Sequence, residues 1–138
     1  MSKSGRIPSS IVEHGIKFVQ IAGLHSNSSN ARTHSSRQIR QIARSIERFG
    51  FTNPVLIDGN NKIICGHGRV AAAQLLSLTT VPTLKIEHLS DEEVRAYVIA
   101  DNRLAEKAGW NKEILAIELQ GLLDLNFEVE LTAPAVRP

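Results

Sequence analysis

The chain is poor in the residues on which disulfide-bonded domains, zinc sites and base-stacking surfaces depend. Its 138 residues include one cysteine, one tryptophan, one tyrosine and four phenylalanines. A single cysteine excludes an internal disulfide and a zinc site built from several cysteines. The small number of aromatic side chains gives little support to stacking on single-stranded nucleic acid. The formal net charge is +2, which by itself does not indicate binding to nucleic acid.

Membrane and metal signals are also missing. No apolar run approaches the roughly 20 residues that a membrane-spanning helix needs, and the polar first ten residues lack the apolar core of a signal peptide. The five histidines show no helical pair spacing that suits a metal. With 42% hydrophobic residues, the composition is that of a globular protein. We therefore expect a cytoplasmic protein with neither a membrane partner nor a metal site of its own.

The most informative segment is a glycine-containing turn in the middle of the chain. A short apolar run, Ile63-Ile64-Cys65, ends at Gly66-His67-Gly68-Arg69, which opens into an alanine-rich helix. Glycines let the backbone turn tightly and let a ligand approach it closely. The helix start offers N–H groups without partners and a partial positive charge, and Arg69 adds a planar fork that suits phosphate oxygens. The segment predicts a phosphate site, most naturally for a nucleotide, although a plain strand-to-helix turn with a surface arginine stays open.

Local capping signals indicate where the predicted helices begin and end. Ser35 or Ser36 can cap a helix that stops at Gly50, and Ser90 with Glu93 fits a capping box. The predicted helices run from Ser36 to about Phe49, from just after Gly68 to Ser77 or Leu78, from Asp91 to about Asp101 or beyond, and from Lys112, capped by Asn111, to about Leu123.

Predicted strands lie between these helices. The strongest signal is a β-hairpin, because Asp58-Gly59 stands between two apolar runs. The other predicted strands run from Lys17 to Ile21, from Val81 to Glu87 and from Leu125 to Leu131. Pro82 is expected at the start of its strand, where its missing N–H is tolerable.

The helix predicted from Ser36 carries its arginines on one face, at spacings of three and four residues. The apolar residues of this helix fall on the opposite face. Two interpretations stay open for the arginines: a solvated helix face, or a surface for nucleic acid or an acidic partner. These residues are Arg37, Arg40, Arg44 and Arg48, here named the arginine stripe.

Three further residues are interpreted as structural. Trp110 is expected to fill the core where two helices meet. His34 is interpreted as an ordinary loop histidine. Cys65 closes a strand and lacks the helix N-terminal field that lowers a thiol pKa, so we expect it to be packed and unreactive.

Three short motifs follow one another in a fixed order: Gly50-Phe51-Thr52-Asn53-Pro54-Val55, Gly66-His67-Gly68-Arg69 and Asp101-Asn102-Arg103. Their order and spacing closely resemble the ParB/sulfiredoxin-like N-terminal domain, in the variant found beside phage and bacterial DNA methyltransferases. The resemblance covers residues 16–131, which leaves a flexible N-terminal segment, 1–15, and a flexible tail, 132–138. It implies an α+β fold: a compact domain with a small mixed β-sheet flanked by helices.

The resemblance also implies a ligand, because in the partition proteins this fold binds a cytidine nucleotide and works as a DNA clamp. The family's arginine box falls on Gly66-His67-Gly68-Arg69, where Arg69 keeps the last basic position. The box around the family's asparagine falls on Asp101-Asn102-Arg103, and the Asn-Pro-Arg box falls on Asn30-Ala31-Arg32. The cofactors so implied are CTP or another nucleotide, with Mg2+. The implied nucleotide-binding residues are Gly66, His67, Gly68, Arg69, Asn102, Arg103 and Arg32.

The leading hypothesis is a nucleotide-binding, DNA-associated module that acts in DNA partition or as the accessory domain of a DNA methyltransferase. Its expected partners are a nucleotide, DNA at the arginine stripe and a second copy of the chain. We expect weak, non-specific DNA binding, because no helix-turn-helix follows. One alternative is a nucleotide hydrolase or nuclease, for which Asp58 and Asp101 are the nearby carboxylates. The other is a protein-interaction module without a ligand, and whether the chain is an enzyme stays open.

Overall fold

The fold is a mixed sheet with helices, as the sequence predicts. A computed structural model describes residues 15–27 and 33–127. Its strands are β1 (Ile16–Gln20), β2 (Val55–Ile57), β3 (Ile63–Cys65) and β4 (Thr80–Lys85). Its α-helices are α1 (Ser36–Phe49), α2 (His67–Leu75), α3 (Asp91–Lys107) and α4 (Lys112–Asp124), and a 3-10 turn, Ile21–Gly23, follows β1.

The four strands form one sheet in the order β1-β4-β2-β3. β4 pairs antiparallel with β1 and parallel with β2. β2 and β3 form the predicted hairpin, with antiparallel pairing. Because β2 and β3 run in opposite directions, the end of β3 returns to the start of β2, where the glycine turn follows.

The position of Pro82 differs from the prediction. Pro82 is the third residue of β4 and pairs with Phe18, and it lies buried in a strand between two others. β2 pairs with β4 only from Thr83 onward. Pro82 therefore has a strand neighbour on one side only, which is the kind of position where a sheet tolerates a residue without an N–H.

Helices cover both faces of the sheet in the segment up to Asp101. On one face, Val70 and Ala73 of α2 pack with the sheet residues Val55, Ile57 and Val81. On the other face, Val98 of α3 packs with Ile64 and Ile86. Ala72 and Ala73 are completely buried, so the alanine-rich helix packs closely, as predicted.

The predicted capping signals are confirmed. The Ser35 hydroxyl accepts from the Gln38 N–H at 3.1 Å, and the Gln38 side chain accepts from the Ser35 N–H at 3.1 Å. Ser90 and Glu93 form the same reciprocal pair at the start of α3, at 2.9 and 3.1 Å. Asn111 caps α4 by accepting from the Ile114 N–H at 3.1 Å. Gly50 ends α1 with a φ of 85°, a left-handed conformation that glycine adopts without strain.

The chain divides into two compact units, Met1–Asp101 and Asn102–Pro138. The first contains the sheet with α1 and α2, and the second contains the end of α3 and all of α4. No helix in the described ranges is both long and apolar enough to cross a membrane.

Two predictions for the second unit differ from the structure in the described residues. Trp110 is 62% exposed, so it does not fill a core where helices meet. Leu125 and Asn126 form a turn at the end of α4, with a φ of 62° at Asn126. The left-handed Asn126 is incompatible with the start of the strand that was predicted from Leu125 to Leu131. Residues 128–131 of that predicted strand lie outside the described residues.

Candidate functional site

The glycine turn joins the end of β3 to the first residue of α2. Gly66 precedes the helix with a φ of 111°, in the left-handed region that disfavours residues with a Cβ. A Cβ on Gly66 would lie 3.3 Å from the Cα and both Cγ atoms of Val55. Glycine therefore lets the backbone turn here and lets the turn lie directly against the start of β2.

The helix that follows the turn begins without a side-chain cap. The capping residues Ser35, Ser90 and Asn111 precede α1, α3 and α4, whereas Gly66 makes no side-chain capping bond. The first N–H groups of a helix have no intrahelical partners and carry a partial positive charge. At α2, Gly66 adds no side-chain acceptor to these groups.

His67, the first residue of α2, is fixed by a hydrogen bond from a distant loop. Its Nε2 accepts from the Asn27 N–H at 3.2 Å, so the imidazole is neutral in this arrangement and its other nitrogen carries the proton. Burial lowers the pKa of His67 from its ordinary value, and the charge of His34 lowers it further. The environment of His67 thus favours the neutral ring.

This environment predicts an acid-sensitive contribution to stability. Because the pKa of His67 is lower in the folded chain than in the unfolded chain, its contribution is complete above the unfolded value of about 6.5 and is lost as pH falls through the folded value. We expect His67→Gln, which keeps an acceptor but does not titrate, to lose less stability than the wild type between pH 7.5 and 5. Urea unfolding across this range measures the difference, and parallel pH profiles for the two proteins would contradict the assignment.

Arg69 is partly buried and bound to the backbone at the start of the hairpin. Its Nη2 donates to the Pro54 carbonyl at 3.2 Å. Within the described residues, its Nε is buried without a hydrogen-bond partner. Burial lowers the pKa of Arg69, while Cys65 and Asp101 act in the opposite direction. An arginine still keeps its charge in proteins. The turn therefore carries a half-buried cation whose Nε–H has no acceptor among the described residues.

The neighbours of Arg69 come from β3 and α3. Burial raises the pKa of Tyr97, and Asp101 and Cys65 raise it further, so both of these groups lie near the tyrosine as well as near Arg69. Cys65 is half-buried and packs against the Ile64–Ile86–Val98 core. The predicted packing of Cys65 is confirmed, and its low reactivity stays a prediction.

Two contributors to the turn were not predicted from the sequence. The Asn27 backbone holds His67, and the His34 imidazole lies against Gly68. Both residues are far from the turn along the chain, so no local pattern marks them. The available signal in the sequence was Gly68 itself, because a glycine leaves room for another group to approach the backbone.

Within the first unit, the structure brings four of the predicted site residues together. Gly66, His67, Gly68 and Arg69 form one continuous turn. Arg32 lies outside the described residues. Asn102, half-buried, and Arg103, exposed, belong to the second unit, and both lie well inside α3 rather than at its end. Their role in nucleotide binding stays a prediction from the sequence.

The other predicted sites are also located. The four residues of the arginine stripe are all exposed on α1. Asp58, considered as a metal ligand, closes the hairpin turn instead: its Oδ1 accepts from the N–H groups of Asn60 and Lys62, at 2.8 and 2.9 Å. Within the described ranges, no group of three or more histidine, cysteine, aspartate or glutamate side chains is placed to hold a metal ion.

Several known proteins are similar to this chain. The chain is 53% identical over 64 residues, 46% of its length, to the ParB-like nuclease domain-containing protein YnaK of Escherichia coli K12, of which the match covers 74%. It is also similar to a C-terminally truncated chromosome-partitioning protein ParB from Caulobacter crescentus complexed with CTP-gamma-S. That match has a TM-score of 0.71 at 27% identity and covers 86% of this chain and 69% of the other.

Two further structures extend the comparison. The Caulobacter protein complexed to the centromeric parS site matches with a TM-score of 0.54 at 25% identity, over 78% of this chain and 56% of the other. Sulfiredoxin from Arabidopsis thaliana matches with a TM-score of 0.50 at 16% identity, over 62% of this chain and 97% of the other. At that identity the sulfiredoxin likeness concerns the fold alone.

The sequence model of the ParB N-terminal domain matches residues 7–103. This range contains the whole sheet, the glycine turn and the arginine stripe. It is well over half of the 138-residue chain, and the structural matches agree with it. The chain therefore belongs to the ParB N-terminal domain family.

Proposed function

We propose that this chain binds CTP through the turn from Gly66 to Arg69 and works as a DNA-associated module, in DNA partition or as the accessory domain of a DNA methyltransferase. The observation that carries the proposal is the match, over 86% of the chain, to a partitioning protein complexed with CTP-gamma-S. The chemistry of the turn supports it, because an uncapped helix start and a guanidinium both favour phosphate oxygens.

A magnesium ion on the nucleotide would need little from the protein. Mg2+ bound to phosphates usually keeps several waters and takes one or two carboxylates. Asp101 is close enough to Arg69 to raise the pKa of its guanidinium, and it is exposed. We therefore propose Asp101 as the carboxylate that would hold the ion.

The nucleotide proposal is tested by thermal unfolding with CTP, UTP, ATP or GTP. A ligand that binds only the folded chain stabilises it by about 2.7 kcal/mol at a hundred times its Kd, so CTP is expected to raise the Tm most. If no nucleotide raises the Tm, the alternative without a ligand is favoured. Phosphate release in the same samples separates a binder from a hydrolase, and sedimentation with and without CTP checks the predicted homodimer.

The DNA proposal rests on the exposed arginine stripe. With about four phosphate contacts, the slope of log K against log salt should be no steeper than roughly −4. Each arginine-to-glutamine substitution in the stripe should make that slope about one unit shallower. Fluorescence anisotropy with a labelled duplex at several salt concentrations measures both effects.

Arg95 offers a matched control for the stripe. It is exposed on α3. The stripe helix α1 contacts α2, whereas α3 packs on the other face of the sheet from α2. Arg95→Gln removes the same charge and should leave the salt slope unchanged. Tight binding to one sequence at high salt, or an equal effect of Arg95→Gln, would contradict a stripe-based, non-specific contact.

A further inference from the structure

The His34 imidazole lies against the second residue of α2. A Cβ on Gly68 would meet the ring at 3.0 Å from Cε1 and at 3.1 Å from both Nδ1 and Nε2. These are the three nearest atoms to the position, so the part of the ring that carries both nitrogens faces the backbone of the turn. Gly68 itself is buried, and the His34 ring is one of the groups that cover it.

Gly68 is what makes room for this ring. Ordinary van der Waals contacts of a Cβ lie between 3.4 and 4 Å, so a side chain at this position would require the imidazole to shift by a few tenths of an ångström. The backbone of His34 is held by the start of α1. His34 directly precedes Ser35, whose N–H and hydroxyl both form hydrogen bonds with Gln38. The capping box and the glycine together set His34 against the first turn of α2.

The two histidines of this cluster have different roles. His67 uses its Nε2 as an acceptor for the Asn27 N–H, and burial lowers its pKa. The charge of His34 acts on His67 as the second cause of that shift, which shows that His34 is near enough to influence charge at the turn. A negative group bound at the turn would act on the pKa of His67 in the opposite direction, because it favours the protonated, positively charged ring.

We infer that His34 is a phosphate-binding residue of the turn: a ring N–H donates to a phosphate oxygen held at the start of α2. This inference rests on the proposed function, in which the turn binds a nucleotide phosphate. A charge-assisted hydrogen bond to a phosphate is among the stronger polar contacts in proteins. The phosphate would then receive one donor from His34, just before α1, in addition to the backbone amides of α2 and Arg69.

The inference is tested with calorimetric titration of CTP into the whole chain. His34→Phe keeps a planar ring against Gly68 but has no N–H, so we expect about a tenfold loss of affinity with little change in the Tm of the unliganded chain. His34→Gln keeps an N–H donor and should retain most of the affinity. His88→Phe is the matched control. His88 is exposed and follows the end of β4, which runs parallel to β2. The end of β4 therefore lies away from the turn, which is at the start of β2.

Inorganic tripolyphosphate, which has no base or sugar, is the second probe. The same loss for His34→Phe with tripolyphosphate is the expected result, and a loss confined to CTP would overturn the phosphate assignment. Wild-type affinity in His34→Phe would show that the ring only packs, and the proposed function would stand without it. If the wild-type chain binds neither probe while remaining folded, the proposed function itself fails.

Discussion

Replacing Arg69 with alanine is expected to weaken CTP binding by about ten- to hundredfold. The guanidinium is a partly buried cation with a buried donor, Nε, that has no hydrogen-bond partner among the described residues. Removing a charge-assisted hydrogen bond costs roughly 1.5–3 kcal/mol, and each 1.4 kcal/mol is about tenfold in affinity. Calorimetric titration of CTP into the wild type and the variant measures the effect.

The same substitution also removes the bond to the Pro54 carbonyl, so the Tm of the unliganded variant has to be measured beside its affinity. Arg69→Lys separates the two contributions, because it keeps the charge and loses the planar fork; its CTP affinity should lie between those of the wild type and Arg69→Ala. Arg95→Ala, on α3, controls for net charge. Undiminished CTP affinity in a folded Arg69→Ala would remove Arg69 from the site.

Replacing Gly66 with alanine is expected to lower the free energy of unfolding by about 1–3 kcal/mol, the usual cost of a side chain in a disfavoured backbone region. The residue has a φ of 111°, and its new Cβ would lie 3.3 Å from three atoms of Val55. Val55 is completely buried, so it has little room to move away. Equilibrium urea unfolding measures the loss.

Gly23→Ala is the matched control for Gly66→Ala. A Cβ on Gly23 would meet nothing within 4 Å, and its φ lies outside the left-handed region. We expect its unfolding midpoint to stay near that of the wild type. A midpoint for Gly66→Ala that is equally unchanged would mean that the turn relaxes at no cost, and the argued role of glycine there would be wrong.

The position of the glycine turn was predictable because its residues are neighbours in sequence. Gly66, His67, Gly68 and Arg69 are consecutive, so one local pattern of glycine, helix start and arginine identified the turn. The bonds that give this turn its character join distant segments: Asn27 with His67, and Arg69 with Pro54. No periodicity or spacing reports such contacts, because they depend on how the fold brings the end of β3 to the start of β2 and to the loop that contains Asn27.

Local capping and turn chemistry determined most of the elements from the sequence alone. Ser35, Ser90 and Asn111 mark three helix starts because each satisfies a backbone N–H within its own helical turn. Asp58-Gly59 marked the hairpin for the same reason, since the Asp58 carboxylate binds amides of its own turn. These interactions need no knowledge of the rest of the chain.

Only the tertiary structure decided which residues lie inside and which lie next to each other. Pro82, expected at a strand start, stands in a central strand, and Trp110, expected in the core, is exposed. His34, expected in an ordinary loop, lies against Gly68. Burial and proximity depend on strand order and helix packing, which sum many weak contacts between distant segments, whereas a sequence pattern reports only the contacts that a residue makes within a few positions of itself.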